Sequence, residues 1–252
     1  MNSETRREAK EFIQRFVTST VSKLKRWSVL DLKKAYPFHS LFFPDQALPA
    51  FKEERSIVTA MGQGFYPGLA QIVARDKHKD VHVNYSIQGS LNDAACNRIE
   101  EIVTELRTAT GTKKRVPNRV IEITDILAHT GGGNRLVELT ADLYVGDFAG
   151  GPLFVEIKTP RPNLDIAAES KKKLLYFLAM KSRGGVAGAA AFLAFPYNPF
   201  VERKLYAHSF TKRIMDMENE VLMGEEFWNL IGGEGCFKQV LDLIDEVRTS
   251  IP

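Results

Sequence analysis

Cysteine is nearly absent: Cys96 and Cys236 are the two in 252 residues. Two cannot build a disulfide framework, and neither sits at metal-ligand spacing, so both read as reduced thiols in a cytosolic protein. Eighteen apolar residues never run together, and the opening MNSETRREAKEF is charged where an export signal would be apolar. Neither a membrane span nor secretion is expected. Strong charge of one sign is also missing, with 34 Lys and Arg against 31 Asp and Glu, a net +3. A polyanionic partner is permitted, and any site for one must be local. Repeats, low-complexity tracts and long linkers do not occur. What is present is 44% hydrophobic content, enough for a sizeable core.

Spacing divides the chain into elements. Phe12, Phe16, Val17, Val21, Leu24, Trp27 and Leu30 recur at helical intervals, predicting one or two amphipathic helices over 3–34. Residues 51–75 read as helix broken at Gly62, Gly64, Pro67 and Gly68, VHVNYSIQGS as a short polar β-like piece, and 91–106 as a helix with one apolar face. NRVIEITDILAH is rich in β-branched residues and predicts the first core strand. HTGGGNR lacks a phosphate-loop pattern and reads as a hairpin turn. RLVELTADLYVGD is a second strand with Val137, Leu139, Ala141, Leu143 and Val145 on one face, and LFVEIK a third,. A helix (DIAAESKKKLLYFLAMKSR), a strand within VAGAAAFLAFPYN, and two helices near 211–231 and 236–250, joined by GGEG, complete the chain. The expected fold is a single α/β domain with a mixed central β-sheet flanked by helices: 1–90 a mainly helical N-terminal addition, 91–196 the core, 197–252 C-terminal helices.

LFVEIKTP, 153–160, is the informative stretch. Alternation puts Phe154, Glu156 and Lys158 on one face and Leu153, Val155 and Ile157 on the other, so half the strand is core and half meets something polar. Acid-x-Lys occurs five times in the chain, but four of these lie in charged segments and only this one in an apolar strand. A hairpin centred near Ala149 sets Asp142 opposite Glu156 and leaves Asp147 in the turn. Facing carboxylates repel; Lys158 supplies one compensating charge and a divalent cation would supply the rest. Mg²⁺ takes one or two carboxylates with waters and phosphate oxygens, and with a lysine beside it the chemistry is phosphodiester hydrolysis. The plain alternative is a solvated cross-strand salt-bridge network.

Asp142, thirteen intervening residues, then Glu156-Ile157-Lys158, set in helix, three strands, helix, strand over about 91–196,, resembles the PD-(D/E)XK nuclease superfamily, with Ala141 where the motif has Pro. TPRPN (159–163) and FWNLIGGEG (227–235) resemble type II restriction endonucleases more narrowly, a grouping that includes enzymes cutting GGNCC-like sites. The resemblance implies a restriction-endonuclease-like αβββαβ core and Mg²⁺ as cofactor. It implies Asp142 and Glu156 as metal ligands, Lys158 as the catalytic lysine, and a further acid from the helix before the sheet, Glu100 in preference to Glu101. It also implies double-stranded DNA as substrate, a homodimer matching a short palindromic site, and a cognate DNA methyltransferase as genetic companion.

Candidate phosphate contacts are Arg161, Asn163, Lys171, Lys172 and Lys173 after the third strand, and Lys113, Lys114 and Arg115 in a basic loop,. His78 and His82 have zinc-like spacing, but in loop and strand and without a third ligand. Two other readings accompany the leading one: a structure-directed repair or recombination nuclease on the same core, and a non-catalytic DNA-binding module.

Overall fold

The computed structural model describes residues 1–24, 27–108, 111 and 114–250. The chain opens with α1 (Ser3–Lys23) and α2 (Val29–Ala35), as the spacing over 3–34 predicts. Asn2 and Ser28 cap them by accepting from the N–H groups of Thr5 and Asp31,. Helix α3 (Leu48–Ala60) continues into α4 (Tyr66–Ala74) without the expected break. Gly62 and Gly64 fall in a π-helical turn, Met61–Phe65, where the hydrogen-bond ladder widens by a residue instead of ending,. Pro67 lies in the first turn of α4, where a missing N–H is harmless,.

The stretch read as a short polar piece is a full strand, β1 (Val81–Asn92). Helices α5 (Asp93–Thr108) and α6 (Arg119–Ala128) follow, then β2 (Asn134–Val145) and β3 (Leu153–Ile157). The expected first core strand is therefore α6. Its β-branched Val120 and Ile121 are 65% and 62% exposed, whereas Glu122 and Ile126, four apart, point inward. Asn118 caps the helix through Ile121 N at 3.0 Å. Capping and the i, i+4 inward pair override strand composition. The triglycine joins α6 to β2 rather than turning a hairpin; Gly131 and Gly132 have φ of 140° and 74°. Helix α7 (Leu164–Arg183) and strand β4 (Ala190–Phe195) fall where expected. The helix expected near 211–231 is divided into α8 (Ser209–Ile214), β5 (Val221–Met223) and α9 (Glu225–Gly232). Asp216 makes the division by accepting from the N–H groups of Glu218 and Asn219 at 3.2 Å each, a side-chain-mediated turn,. Helix α10 (Cys236–Ser250) closes the chain after Gly233 and Gly235, both at positive φ,.

The strands form one sheet in the order β1-β2-β3-β4-β5, antiparallel through β3 and parallel beyond it. The sheet is mixed and flanked by helices, as expected, but it begins at Val81 rather than after residue 90. Helices α5, α6, α7 and α8 share one core with Ile87, Leu139, Phe154 and Leu193. Helices α1, α4, α9 and α10 share the other with Leu143, Leu153, Val155 and Ala194. Among the described residues no helix is long and apolar enough to cross a membrane. Cys96 and Cys236 are both free and buried.

Strand β3 is buried on both faces, Phe154 included, so its second face is not simply polar. Between α6, α7 and the loop before β5 lies a buried ionic cluster. Lys171 is 0% exposed, and its ammonium lies 2.5 Å from Glu122 and 2.6 Å from Glu220. This corrects the expectation that Lys171 meets phosphate. It falls on the inward stripe of α7 with Ala167, Ala168, Leu174 and Leu175, and its charge is already matched.

Lys171→Ala leaves two buried carboxylates facing each other and is expected to lower stability by about 3–5 kcal/mol, read from urea unfolding. Burial pushes the Glu122 carboxyl up, with Lys171 acting against it. A carboxyl whose folded pKa is raised favours folding below its unfolded value and loses that contribution as pH rises through the folded one. The deficit of Lys171→Ala is therefore expected to shrink on acidification. A deficit that grew at low pH would remove this account.

Candidate active site

The β2–β3 register pairs Leu143 with Val155, and one further step sets Asp142 against Glu156, as the hairpin argument predicts. Lys158 lies just past the end of β3, its N–H donating to Ala194 O at 3.0 Å. Its ammonium is 2.8 Å from Asp142 Oδ2 and 2.8 Å from Glu156 Oε1. Ile157 N also donates to Asp142 Oδ2 at 2.7 Å. Glu156 is only 2% exposed, and Lys173 of α7 donates to both of its oxygens at 2.9 and 3.1 Å. Two acids and two ammonium groups thus form a charge-balanced set at the sheet end. Burial on its own would push the Lys158 ammonium down, but Glu156 and Asp142 outweigh it and raise its pKa above the usual lysine value,.

Asp142 and Lys158 open onto a cleft of about 430 Å³, whose other polar walls include Thr59 and Gln63 from α3 and the π turn, Asn84 from β1, and Thr159. Asp142 Oδ1 accepts no hydrogen bond among the described residues, both of those the carboxylate receives falling on Oδ2. One open carboxylate oxygen, with a second carboxylate behind the lysine, is a donor set that fits Mg²⁺, which takes one or two carboxylates and completes its shell with water and phosphate. The Lys158 ammonium, held between both carboxylates, marks where a cation is electrostatically favoured.

Strand β1 is irregular at this point. Every position from Val81↔Val145 to Asn92↔Asn134 pairs in the β1–β2 ladder except Asn84, which the register sets against Asp142. Asn84 has φ of 49°, a left-handed backbone that Asn tolerates better than most residues. Both strands change cores here. Val81, Leu143 and Val145 pack against α1, α4 and α10, while Ile87, Leu139 and Ala141, of the same parity, pack against α5 and α7. The stripe 137–145 therefore does not share one face, as simple alternation predicts.

The other expected residues are dispersed. Glu100 accepts from Tyr176 at 3.1 Å and pairs with Lys172 at 3.5 Å; Glu101 pairs with Arg98 at 2.9 Å. Neither joins Asp142: no three His, Cys, Asp or Glu side chains gather as a metal group among the described residues. Helix α5 lies between β1 and β2, and the helix that precedes the sheet is α4. Arg161 is exposed with its guanidinium 5.1 Å over the Phe200 ring. Asn163 caps α7 through Ile166 N at 2.8 Å. Lys114 is exposed, Lys172 is partly exposed, and Lys113 lies outside the described residues. Asp147, in the turn, accepts from Lys79 N. Lys173, expected with its neighbours to meet phosphate, is instead taken by Glu156, and Arg115 by Glu105; Asn84 and Gln63 carry no sequence signal that sets them apart as lining this site.

A mixed five-stranded sheet between helical layers, with paired acids and a lysine on its adjacent central strands, is the architecture of a restriction-endonuclease-like protein. Residues 1–248 match the family described as "Type II restriction endonuclease, HinfI". The chain is 29% identical over 263 residues to the type II restriction enzyme HgiEI of Herpetosiphon aurantiacus, covering 98% of this chain and 94% of that one. With HgiCII of the same organism it shares 32% identity over 223 residues, 87% and 79% of the two chains. With MjaII of Methanocaldococcus jannaschii it shares 29% over 203 residues, 75% and 52%. No solved structure matches significantly. The chain belongs to the HinfI family of type II restriction endonucleases.

If the left-handed backbone at Asn84 is what the ribbon requires, Asn84→Gly will keep wild-type stability, whereas Asn84→Val will lose about 1–2 kcal/mol. Chemical denaturation measures both. Equal losses would place the effect in the Asn side chain instead.

Proposed function

We propose that the protein hydrolyses double-stranded DNA at a short palindromic site in a Mg²⁺-dependent reaction of PD-(D/E)XK type, working as a cytoplasmic homodimer beside a cognate methyltransferase. The observation that carries this reading is the single ammonium of Lys158 bridging Asp142 and Glu156 from adjacent strands. A salt bridge serving stability alone has no need of a cleft in front of it, and the gain from such a buried pair is small or negative.

Asp142 and Glu156 would hold the Mg²⁺, which when bound polarises the phosphate and acidifies a water. Lys158 then turns its charge toward the scissile phosphate and stabilises the negative charge that develops there. Glu156 and Asp142 hold the Lys158 pKa above the usual lysine value, which suits an electrostatic role. Lys173 donates to both oxygens of the Glu156 carboxylate and so fixes its orientation behind Lys158. Arg161, Lys172 and Lys114 supply exposed charge for phosphates nearby, and Glu100 is left as a positioning group for Lys172.

Digestion of a defined plasmid in Mg²⁺ is expected to give discrete bands, abolished by chelation. Lys158→Ala and Asp142→Asn are each expected to slow cleavage by about 10²–10³-fold while duplex affinity in chelator is retained. Wild-type cleavage by Lys158→Ala would end this mechanism. Cutting confined to branched or damaged DNA would select the repair-nuclease reading, and binding without any cutting the DNA-binding module. Sedimentation at twice the chain mass is the expected oligomeric result.

A further inference from the structure

The chain's positive charge is concentrated. Residues 1–60 contain 11 Lys and Arg against 7 Asp and Glu, while residues 61–252 contain 23 against 24. The whole net excess therefore belongs to the N-terminal helices. Three of these cations line a groove of about 820 Å³ between α1 and α3, whose walls include Arg15, Phe16, Thr20 and Lys23 of α1, Trp27 beyond it, and Lys52 of α3. Arg15, Lys23 and Lys52 make no ion pair among the described residues. Several other basic side chains are paired: Arg6 and Lys10 meet Glu246, Lys33 meets Asp45, and Arg98 meets Glu101, Glu105 and Asp125. Lys52 is half-buried without a partner, and Glu53 is the one acid on the groove wall. A partly desolvated cation with no counter-charge is a standing cost that an incoming anion removes.

Helix α3 joins this groove to the catalytic cleft. Lys52, Ser56 and Ala60 face the groove, and Val58 and Thr59 face the cleft that holds Asp142 and Lys158. Helix α3 therefore borders both the groove and the cleft.

We propose that the groove between α1 and α3 binds the DNA backbone flanking the cleavage site, with Arg15, Lys23 and Lys52 on successive phosphates and Trp27 against the sugar edge. The proposal rests on the nuclease reading for the identity of its ligand, and extends the DNA surface to helices that carry no catalytic residue. Three cations along one groove suit a site that neutralises backbone phosphates.

The two tryptophans provide the test. Trp228 is 2% exposed, with its ring N–H donating to Pro196 O at 2.9 Å, whereas Trp27 is 39% exposed. Iodide quenching of the full chain therefore reports on Trp27, and Trp27→Phe should remove the quenchable emission. In chelator, a duplex with long flanks is expected to shield Trp27 from iodide; a duplex trimmed to the cleavage site is not. Replacing Arg15, Lys23 and Lys52 together by alanine should weaken binding of the long duplex by at least about 10-fold and reduce the slope of log affinity against log salt by close to three, at roughly 0.9 per contact. The trimmed duplex should be bound equally by both proteins, and turnover at saturating DNA should stay within about twofold. Unchanged quenching and an unchanged salt slope would overturn the proposal, and the wild-type quenching decides it even if the triple variant folds poorly. A wild type that shields Trp27 on DNA but never cuts would sink the nuclease reading and leave this surface standing.

Discussion

One ammonium group between two carboxylates organises this protein. Asp142 and Glu156 stand on neighbouring strands at positions where like charges repel, and one of them is almost wholly out of water. Neither strand pair nor buried acid is tolerable without cations close by. Lys158 provides one at 2.8 Å from each, and Lys173 provides the other from α7. The position of α7 against β3 is thus an electrostatic as well as an apolar requirement. Lys171, two residues earlier on α7, serves a similar purpose where it neutralises Glu122 and Glu220 inside the helical layer.

Local symmetry explains why the acid–lysine set is legible in the amino-acid sequence. Alternation along LFVEIK and reflection through a turn near Ala149 are properties of backbone geometry, independent of what covers the strands. They set Asp142 against Glu156, and the register agrees. Covering is another matter. Val120 and Ile121 mark a strand by composition but project to solvent from α6, while β1 has a polar composition because its ribbon with β2 outruns the five-residue β3. Lys171 is legible in principle: it falls on the stripe of Ala167, Ala168, Leu174 and Leu175, and helical periodicity alone turns it inward,. Three consecutive lysines hide this, since they point in three directions, to a buried cluster, to Glu100 and to Glu156.

The long ribbon shows where alternation fails. Residues of one parity on β1 and β2 serve both hydrophobic cores, because the layer that covers them changes at Asn84 and Asp142. A regular ladder would place the Asp142 side chain under a helix on either side of that point. At the changeover neither layer closes over it, and the carboxylate stays in reach of solvent and of Lys158 together. The left-handed residue opposite it is a small local strain in a strand otherwise paired along its length, and such strain is commonly found beside reacting groups.

The electrostatic division of the chain follows from the same constraint. The acid–lysine set at the sheet end is charge-balanced, two carboxylates against two ammonium groups, and so offers little net attraction to a polyanion. Attraction for a long polyanion has to come from elsewhere, within a Debye length yet outside the pairs that fix the site. Paired arginines such as Arg98 cannot supply it, because their charge is cancelled by Glu101, Glu105 and Asp125. The unpaired cations of α1 and α3 can, and α3 reaches the cleft through Val58 and Thr59. On the proposed binding mode, helices that look like an appendage to the sheet become the part of the molecule that draws the substrate across it.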